Sequence, residues 1–275
     1  MDERTEKNRI SFKKLFMASP AAHVMALVGA VLIALQLLLK NNAAVMLWES
    51  EHIVRPYHRA MGKLCSAVDL SVASIIIYLL CAGVLVYIIF EMVEIIRKSG
   101  RWKRCYRLVS TLLALVVLIY GGFCQLWGVY YYASDFGQLS GIHAQPISTD
   151  KLECVTRYFT LLVNEYDRQI ARDENGDFAE DVEKIFDGSV GLYDNVEKLL
   201  PFLREDGLRA KPFVGSRFLS YFQFTGFFFP FTGEANINVH SPAAFIPSTI
   251  AHELAHQRGV AAENEANFVA VLASL

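Results

Sequence analysis

The sequence predicts an N-terminal region of three transmembrane helices followed by an α+β domain that is mostly helical. Apolar residues are concentrated in the first half of the chain, where they form three uncharged runs. The second half combines helical periodicity with a short alternating segment. Of the 275 residues, 53% are hydrophobic, which is too high a fraction for an ordinary soluble protein. The net charge of −2 favours no polyanionic partner, so we expect no nucleic-acid binding.

The three apolar runs have the length of membrane-spanning helices. They cover about residues 21–39, 70–90 and 108–127, and none contains Asp, Glu, Lys or Arg. Roughly 20 apolar residues cross a bilayer, and a buried core helix is rarely apolar all round for that length. We therefore predict three transmembrane helices within residues 21–130. The first run lacks a signal-peptide cleavage site, which favours an uncleaved anchor.

The basic residues predict the orientation of these helices. Residues 1–20 carry five Lys or Arg, and residues 97–107 carry six. Basic loops lie preferentially in the cytoplasm. We therefore predict a cytoplasmic basic segment at 1–20 and an extracytoplasmic domain at 131–275. On that outer side Cys65 and Cys154 could form a disulfide, which the sequence does not specifically indicate.

The predicted domain changes character along its length. Residues 150–206 have apolar residues at helical spacing. Residues 211–240 are rich in aromatic residues and glycine, consistent with short strands or a loop lying against the membrane. Within them, Ala235–His240 alternates apolar and polar residues and is predicted to form a half-buried strand.

A His-Glu-x-x-His motif lies near the C-terminus, at His252, Glu253 and His256. On a helix, residues four apart lie on one face, so the two histidines can bind the same metal ion. Imidazole ligands favour Zn²⁺, and a catalytic zinc site needs three protein ligands and one open position. Glu253 can reach a water at that position and act as its general base.

The third ligand is expected from the next helix. Gly259 lies three residues after His256, where a glycine in the left-handed conformation commonly ends a helix. A second helical run follows, and its first turn contains Glu263 and Glu265. Either carboxylate is a candidate ligand.

At these residues the sequence resembles the gluzincin metallopeptidases, whose His-Glu-x-x-His motif is completed by a glutamate from a following helix. Several such families place Asp or Asn four residues after that glutamate, and Glu263 and Asn267 fit this pattern. The resemblance implies a zincin-like domain, Glu263 as zinc ligand and Asn267 as its supporting partner, with Glu265 as the alternative ligand. The segment Pro230–Asn236 and the motif also resemble an uncharacterised bacterial membrane family, domain of unknown function 3810, which implies a bacterial inner membrane.

The resemblance extends to further residues of the domain. In zincins a strand edge beside the motif helix binds extended substrate, and Ala235–His240 is the candidate for that edge. Tyr221 is a candidate for stabilising an oxyanion, by residue type alone. His240 is a possible additional polar group of the cleft.

The function expected from these features is hydrolysis of peptide bonds in a peptide or protein substrate. Zinc would activate a water, and Glu253 would take the proton of that water and pass it to the leaving amine. Two alternatives remain open. One is a non-catalytic membrane protein with a structural or vestigial zinc site, for which His240 is the nearby fourth ligand. The other is an intramembrane metalloprotease, although the prolines and charges around the motif are unfavourable in a membrane span.

Overall fold

The computed structural model describes residues 16–275, and the protein is 68% helical with one small mixed sheet. Of the predicted basic segment at 1–20, residues 1–15 lie outside the described residues. The α-helices are α1 (Pro20–Leu39), α2 (Ala43–Glu49), α3 (Arg55–Cys65), α4 (Val72–Arg97), α5 (Arg101–Leu126), α6 (Phe136–Ser140), α7 (Thr149–Asp167), α8 (Val182–Gly188), α9 (Asp194–Leu199), α10 (Ser216–Tyr221), α11 (Ile246–Gln257) and α12 (Glu263–Ser274). The strands are β1 (Lys211–Pro212), β2 (Gly226–Phe229) and β3 (Glu234–Ile237).

Helices α1, α4 and α5 are long and apolar enough to cross a membrane. They contain the three predicted runs apart from one or two terminal residues. Helices α4 and α5 continue past their apolar runs into a shared charged end, where Glu91 pairs with Arg107 and Glu94 with Arg104. The prediction of three helices with the dimensions of membrane spans is confirmed.

Helices α1 and α5 approach each other closely through glycines. A Cβ atom added to Gly29 would lie 2.5 Å from the carbonyl oxygen of Val117, and one added to Gly121 would lie 2.7 Å from the carbonyl oxygen of Gly29. Small residues allow membrane helices to pack backbone against backbone. This contact fixes the end of α5, which leads into the aromatic residues beside the candidate site.

The segment between the first two spans is helical rather than a simple loop. It consists of α2, a π-helical turn at Ser50–Val54, and α3. On α3, Arg55 and Arg59 approach the buried carboxylate of Glu205, while Lys63 Nζ lies 3.0 Å from Asp206 Oδ2. The segment therefore packs on the C-terminal part of the chain.

The sheet has the strand order β1-β3-β2, with β3 parallel to β1 and antiparallel to β2. Of the two alternatives that the sequence left open for residues 211–240, short strands or a loop lying against the membrane, the structure contains short strands. The prediction that Ala235–His240 provides a free strand edge is wrong. The first three residues of this segment, 235–237, lie in β3, which is buried and paired with a strand on each side. Strand β2 is the edge strand beside α11.

Buried polar contacts attach the sheet to the N-terminal end of α4. The Glu234 carboxylate accepts hydrogen bonds from the backbone N–H groups of Val72 and Ala73, at 3.1 and 2.8 Å. A carboxylate at this position satisfies free N–H groups and interacts favourably with the helix dipole. Lys211 Nζ lies 2.9 Å from Glu234 Oε1 and neutralises its charge. Strand β3 is therefore anchored directly on the first turn of α4.

Helix α11 carries the histidine motif through the centre of the domain. Its apolar residues Ile250 and Leu254 pack in the main hydrophobic core with Ile237 of β3 and Val269 of α12. The helix ends at Gln257, and Gly259 has a φ of +85°, as predicted for the glycine after the motif. The second predicted helix begins at Glu263, so the chain reverses and α12 packs across α11.

Candidate metal centre

The two histidines of the motif lie on one face of α11 with their rings close together. The ring centroids of His252 and His256 are 4.6 Å apart, and the ring planes are nearly perpendicular, at 89°. His256 is buried, and its ring also contacts the indole of Trp127 edge to face, with centroids 5.5 Å apart. Packing against Trp127 therefore restrains the His256 ring.

Hydrogen bonds to the Nδ1 atoms orient both imidazoles. His256 Nδ1 lies 2.7 Å from the carbonyl oxygen of Val260, which the turn at Gly259 brings back over the helix. His252 Nδ1 lies 2.9 Å from Asn267 Oδ1. A carbonyl oxygen can only accept, so Nδ1 carries a proton, and in the neutral imidazole Nε2 is then left with its lone pair. This is the arrangement in which imidazole ligates a metal through Nε2.

Glu263 directs its carboxylate at both Nε2 atoms. Its Oε2 lies 3.1 Å from His252 Nε2, and its Oε1 lies 3.5 Å from His256 Nε2. One ligand atom from each of the three residues lies within 4.8 Å of the others. Ligands at about 2.0–2.2 Å from a tetrahedral zinc ion are roughly 3.3 Å apart, so the three side chains fit such an ion.

Charge also makes this arrangement suited to a cation. Burial is the main reason that the pKa of His256 is lowered, which favours its neutral form. A neutral ring that donates through Nδ1 presents an acceptor at Nε2. The Glu263 carboxylate that faces it is an acceptor as well, and two acceptors repel each other unless a cation lies between them. The donor set of two nitrogens and one carboxylate oxygen is the one found in many catalytic zinc sites.

Glu253 lies on the floor of the same cleft. Its side chain is buried, and its Oε2 atom has no hydrogen-bond partner within residues 16–275. Burial, reinforced by the negative charge of Glu263, raises the pKa of Glu253 to about 8, although a backbone hydrogen bond from Phe228 counteracts the rise. A carboxyl group with a pKa of about 8 binds and releases a proton near neutral pH, as a group that takes up a proton and returns it in acid-base chemistry must.

The free edge of β2 forms one wall of the cleft. Within the described part of the chain β2 pairs with β3 alone. The Asn238 N–H donates to the Thr225 carbonyl, and in an antiparallel ladder the alternate residues then turn their backbone groups outward. Those residues are Gly226 and Phe228. The cleft, with a volume of about 350 Å³, lies between this edge and the end of α5 and is lined by Trp127, Tyr131, Gln223, Phe224, Thr225, Gly226, Phe227, Phe228, His252, Glu253, His256 and Glu263.

Gly226 is required for the close approach of β2 to α11. A Cβ atom at this position would lie 2.8 Å from Thr249 Cγ2, 2.9 Å from Glu253 Cγ and 3.0 Å from the backbone oxygen of Asn236. All three distances are shorter than ordinary van der Waals contacts. The absence of a side chain therefore allows the strand edge to lie directly over the catalytic candidate Glu253.

Gly226→Ala is expected to destabilise the protein and to displace Glu253. Overpacking of this kind costs about 1–3 kcal/mol, which would lower the melting temperature of the detergent-solubilised protein by several degrees. Gly188→Ala is the matched control, because a Cβ atom there meets nothing within 4 Å. If both variants melted like the wild type, β2 would not be fixed against α11 as described.

The remaining predicted residues do not join the group formed by His252, His256 and Glu263. Glu265 turns away, and its Oε2 accepts a hydrogen bond from the Phe136 N–H at 3.2 Å. His240 is exposed and does not belong to the group. Tyr221 is 78% exposed and does not line the cleft. Cys65 and Cys154 are both free, Cys65 buried and Cys154 exposed.

Sequence reasoning missed several residues around the site. Trp127 and Tyr131 line the cleft although they follow the third span, more than 100 residues before the motif. No pattern in the sequence connects these two aromatic residues with the histidine motif. The Val260 carbonyl leaves no sequence signal except the glycine that precedes it. Strand β2 contains three successive phenylalanines, which give no alternating pattern from which an edge strand could be recognised.

A family model described as Protein of unknown function (DUF3810) matches residues 50–275. The match covers most of the chain, from the π-helical turn before α3 to the end of α12, and the chain therefore belongs to this family. No curated protein matches the chain, and no solved structure matches it.

Proposed function

We propose that this member of the DUF3810 family is a membrane-anchored zinc metallopeptidase. The observation that carries the proposal is the convergence of His252 Nε2, His256 Nε2 and the Glu263 carboxylate beside the buried, free Oε2 of Glu253. His252, His256 and Glu263 would hold the ion, and Asn267 and the Val260 carbonyl would keep the two imidazoles in the ligating orientation.

The chemistry divides between the metal and the chain's own residues. When bound, zinc would supply a Lewis acid that polarises the scissile carbonyl and lowers the pKa of a water molecule. Glu253 Oε2 is the chain's proton acceptor, and the same atom can return the proton to the leaving amine. Because the Glu253 side chain is buried and lies under the close approach of Gly226, it needs little reorganisation to do so.

Substrate binding is proposed at the edge of β2. The outward backbone groups of Gly226 and the outward carbonyl of Phe228 can pair with an extended polypeptide, which would place one of its peptide bonds above Glu253. This proposal moves the binding edge from Ala235–His240 to β2. Tyr131 is the phenol that lines the cleft, and it replaces Tyr221 as the candidate for contacting the scissile carbonyl.

The proposal is tested with the full-length protein purified in detergent. We expect one zinc ion per chain by elemental mass spectrometry and cleavage of members of an unbiased peptide library, both abolished by a chelator. Absence of bound zinc would contradict the metal site. Zinc without hydrolysis of any peptide would favour a structural role, for which the described residues offer no fourth protein ligand at the group.

We also propose that the domain lies outside the cytoplasm at a bacterial inner membrane, because six basic residues lie in the short stretch between α4 and α5 and its flanks. A reporter fused near Ser148 is expected to behave as extracytoplasmic, and one fused near Lys98 as cytoplasmic. Paired alkaline phosphatase and fluorescent-protein fusions measure this. Reversed signals would place the cleft on the cytoplasmic side.

A further inference from the structure

A continuous row of aromatic rings connects two membrane spans beneath the cleft. It begins at Tyr78 on α4 and passes through Phe213, Phe227 and Phe229 to Phe231, with successive ring centroids 6.0, 5.4, 6.3 and 5.4 Å apart. Phe231 lies against α5, where a Cβ atom added to Gly122 would be 2.9 Å from its ring. The Tyr78 hydroxyl also donates to the Val214 carbonyl oxygen at 2.8 Å.

The charged end of the spans defines the depth of this row. Glu91 of α4 and Arg107 of α5 pair with each other and mark one boundary of the apolar region. A helix rises about 1.5 Å per residue, so the 20 residues from Arg107 to Trp127 rise about 30 Å, and so do those from Glu91 back to Ser71. That distance is the thickness of the hydrocarbon core of a bilayer. Ser71 and Trp127 therefore lie at the opposite membrane surface.

The aromatic row lies below that surface. Tyr78 is seven residues inside Ser71, about 10 Å deeper, and Gly122 is five residues inside Trp127, about 7 Å deeper. The composition of residues 212–233, which include four of the five rings of the row, agrees with this depth. Arg217 is the one charged residue between Lys211 and Glu234. The nearby Phe218 and Phe222 are 57% and 60% exposed, and their rings contact each other at a tilt, with centroids 5.0 Å apart. Aromatic side chains of this kind settle in the membrane interface.

Strand β2 therefore has two faces with different surroundings. Phe227 and Phe229 point to the aromatic row, whereas Gly226 and Phe228 pack toward α11 and Trp127. Trp127 lies at the membrane surface and contacts His256 directly. The cleft that holds the histidines thus opens at the surface of the bilayer, with β2 lying along it.

From this geometry we infer the substrate class, an inference that depends on the proposed peptidase function. The substrate is an extended segment of a protein anchored in the same bilayer, cut within a few residues of its membrane anchor. Such a segment lies at the depth of the β2 edge, and its anchor keeps it at a high local concentration beside the cleft, in the millimolar range for short tethers. A free peptide has neither advantage.

The first test measures depth and needs no activity. The full chain, with its native cysteines replaced, is reconstituted in phosphatidylcholine vesicles and labelled with bimane at Phe222→Cys. Strong quenching by spin-labelled lipid is expected there. Asn175→Cys is the control, since Asn175 is exposed next to Glu174 and close to Asp177, and it is expected to show none. Equal quenching at the two positions would overturn the membrane depth of the cleft.

The second test compares presentations of one randomised 12-residue library, with zinc present. The library is placed directly after a transmembrane helix in the same vesicles, after a 30-residue Gly/Ser spacer on that helix, or free in solution. We expect the first to be cut at least tenfold faster than the other two. Equal rates would overturn the substrate class and leave the peptidase intact. Absence of cleavage in all three, with zinc bound, would overturn the peptidase function and the substrate class with it.

Discussion

Glu253→Gln is expected to abolish hydrolysis while the fold and the bound metal are kept. The amide is isosteric with the carboxylate, but it cannot take a proton from a water molecule. General-base catalysis contributes typically 10²–10⁴-fold, so turnover should fall by roughly that factor or more. The measurement is the initial rate of peptide cleavage together with zinc content and melting temperature.

The structure explains why this substitution should be well tolerated. Glu253 Oε2 has no hydrogen-bond partner within residues 16–275, so replacing that oxygen by a nitrogen breaks no described contact. Glu165→Gln makes the same chemical change on the exposed helix α7 and should leave activity unchanged. A Glu253→Gln protein with near wild-type turnover would show that another group is the base.

The sequence was sufficient where one local pattern determined the structure. Uncharged runs predicted three spans because a lipid environment requires helices that are apolar all round. His252 and His256 are four residues apart, so any helix brings them together. Glycine adopts a positive φ at no steric cost, so Gly259 after the motif predicted the left-handed turn that ends the helix.

The burial of the strands could not be predicted, because the polar or apolar character of their residues does not match their exposure. Asn236 and Asn238 made β3 resemble a half-buried strand, yet both are buried. Their amides are satisfied by long-range partners, such as the Ser71 hydroxyl that donates to Asn236 Oδ1 at 2.6 Å. Strand β2 gives no alternation for a different reason. Apolar side chains lie on both of its faces, toward α11 and toward the aromatic row, so apolar and polar residues do not alternate along it.

Long-range packing also determines features that a local pattern cannot show. Arg55 and Arg59 contact Glu205 across 150 and 146 residues of chain, and this contact attaches the helical segment between the first two apolar helices to the C-terminal part of the chain. Helix α7 shows the opposite case. Its periodicity predicted a helix correctly, but none of its residues is buried against the part of the chain that the structure describes.

Glu263→Ala is expected to lose most of the zinc, and Glu265→Ala to retain it. The two residues are two positions apart on α12 and project about 200° from each other, so one carboxylate at most can face the histidines. Glu263 lies 3.1 Å from His252 Nε2, whereas Glu265 accepts a hydrogen bond from the Phe136 N–H. Glu265→Ala should therefore lower stability slightly, because the Phe136 N–H group loses its acceptor, without affecting the metal.

Asn267→Leu is expected to have a zinc affinity between those of Glu265→Ala and Glu263→Ala. It removes the acceptor for His252 Nδ1 but keeps all three ligand atoms, and loss of such a partner costs about 10–100-fold in metal affinity. Zinc affinity, measured by competition with a chelator, should thus be highest for wild type and Glu265→Ala, lower for Asn267→Leu and lowest for Glu263→Ala. The opposite order of the two glutamate variants would transfer the ligand role to Glu265, and it would require α12 to rotate by about half a turn relative to α11.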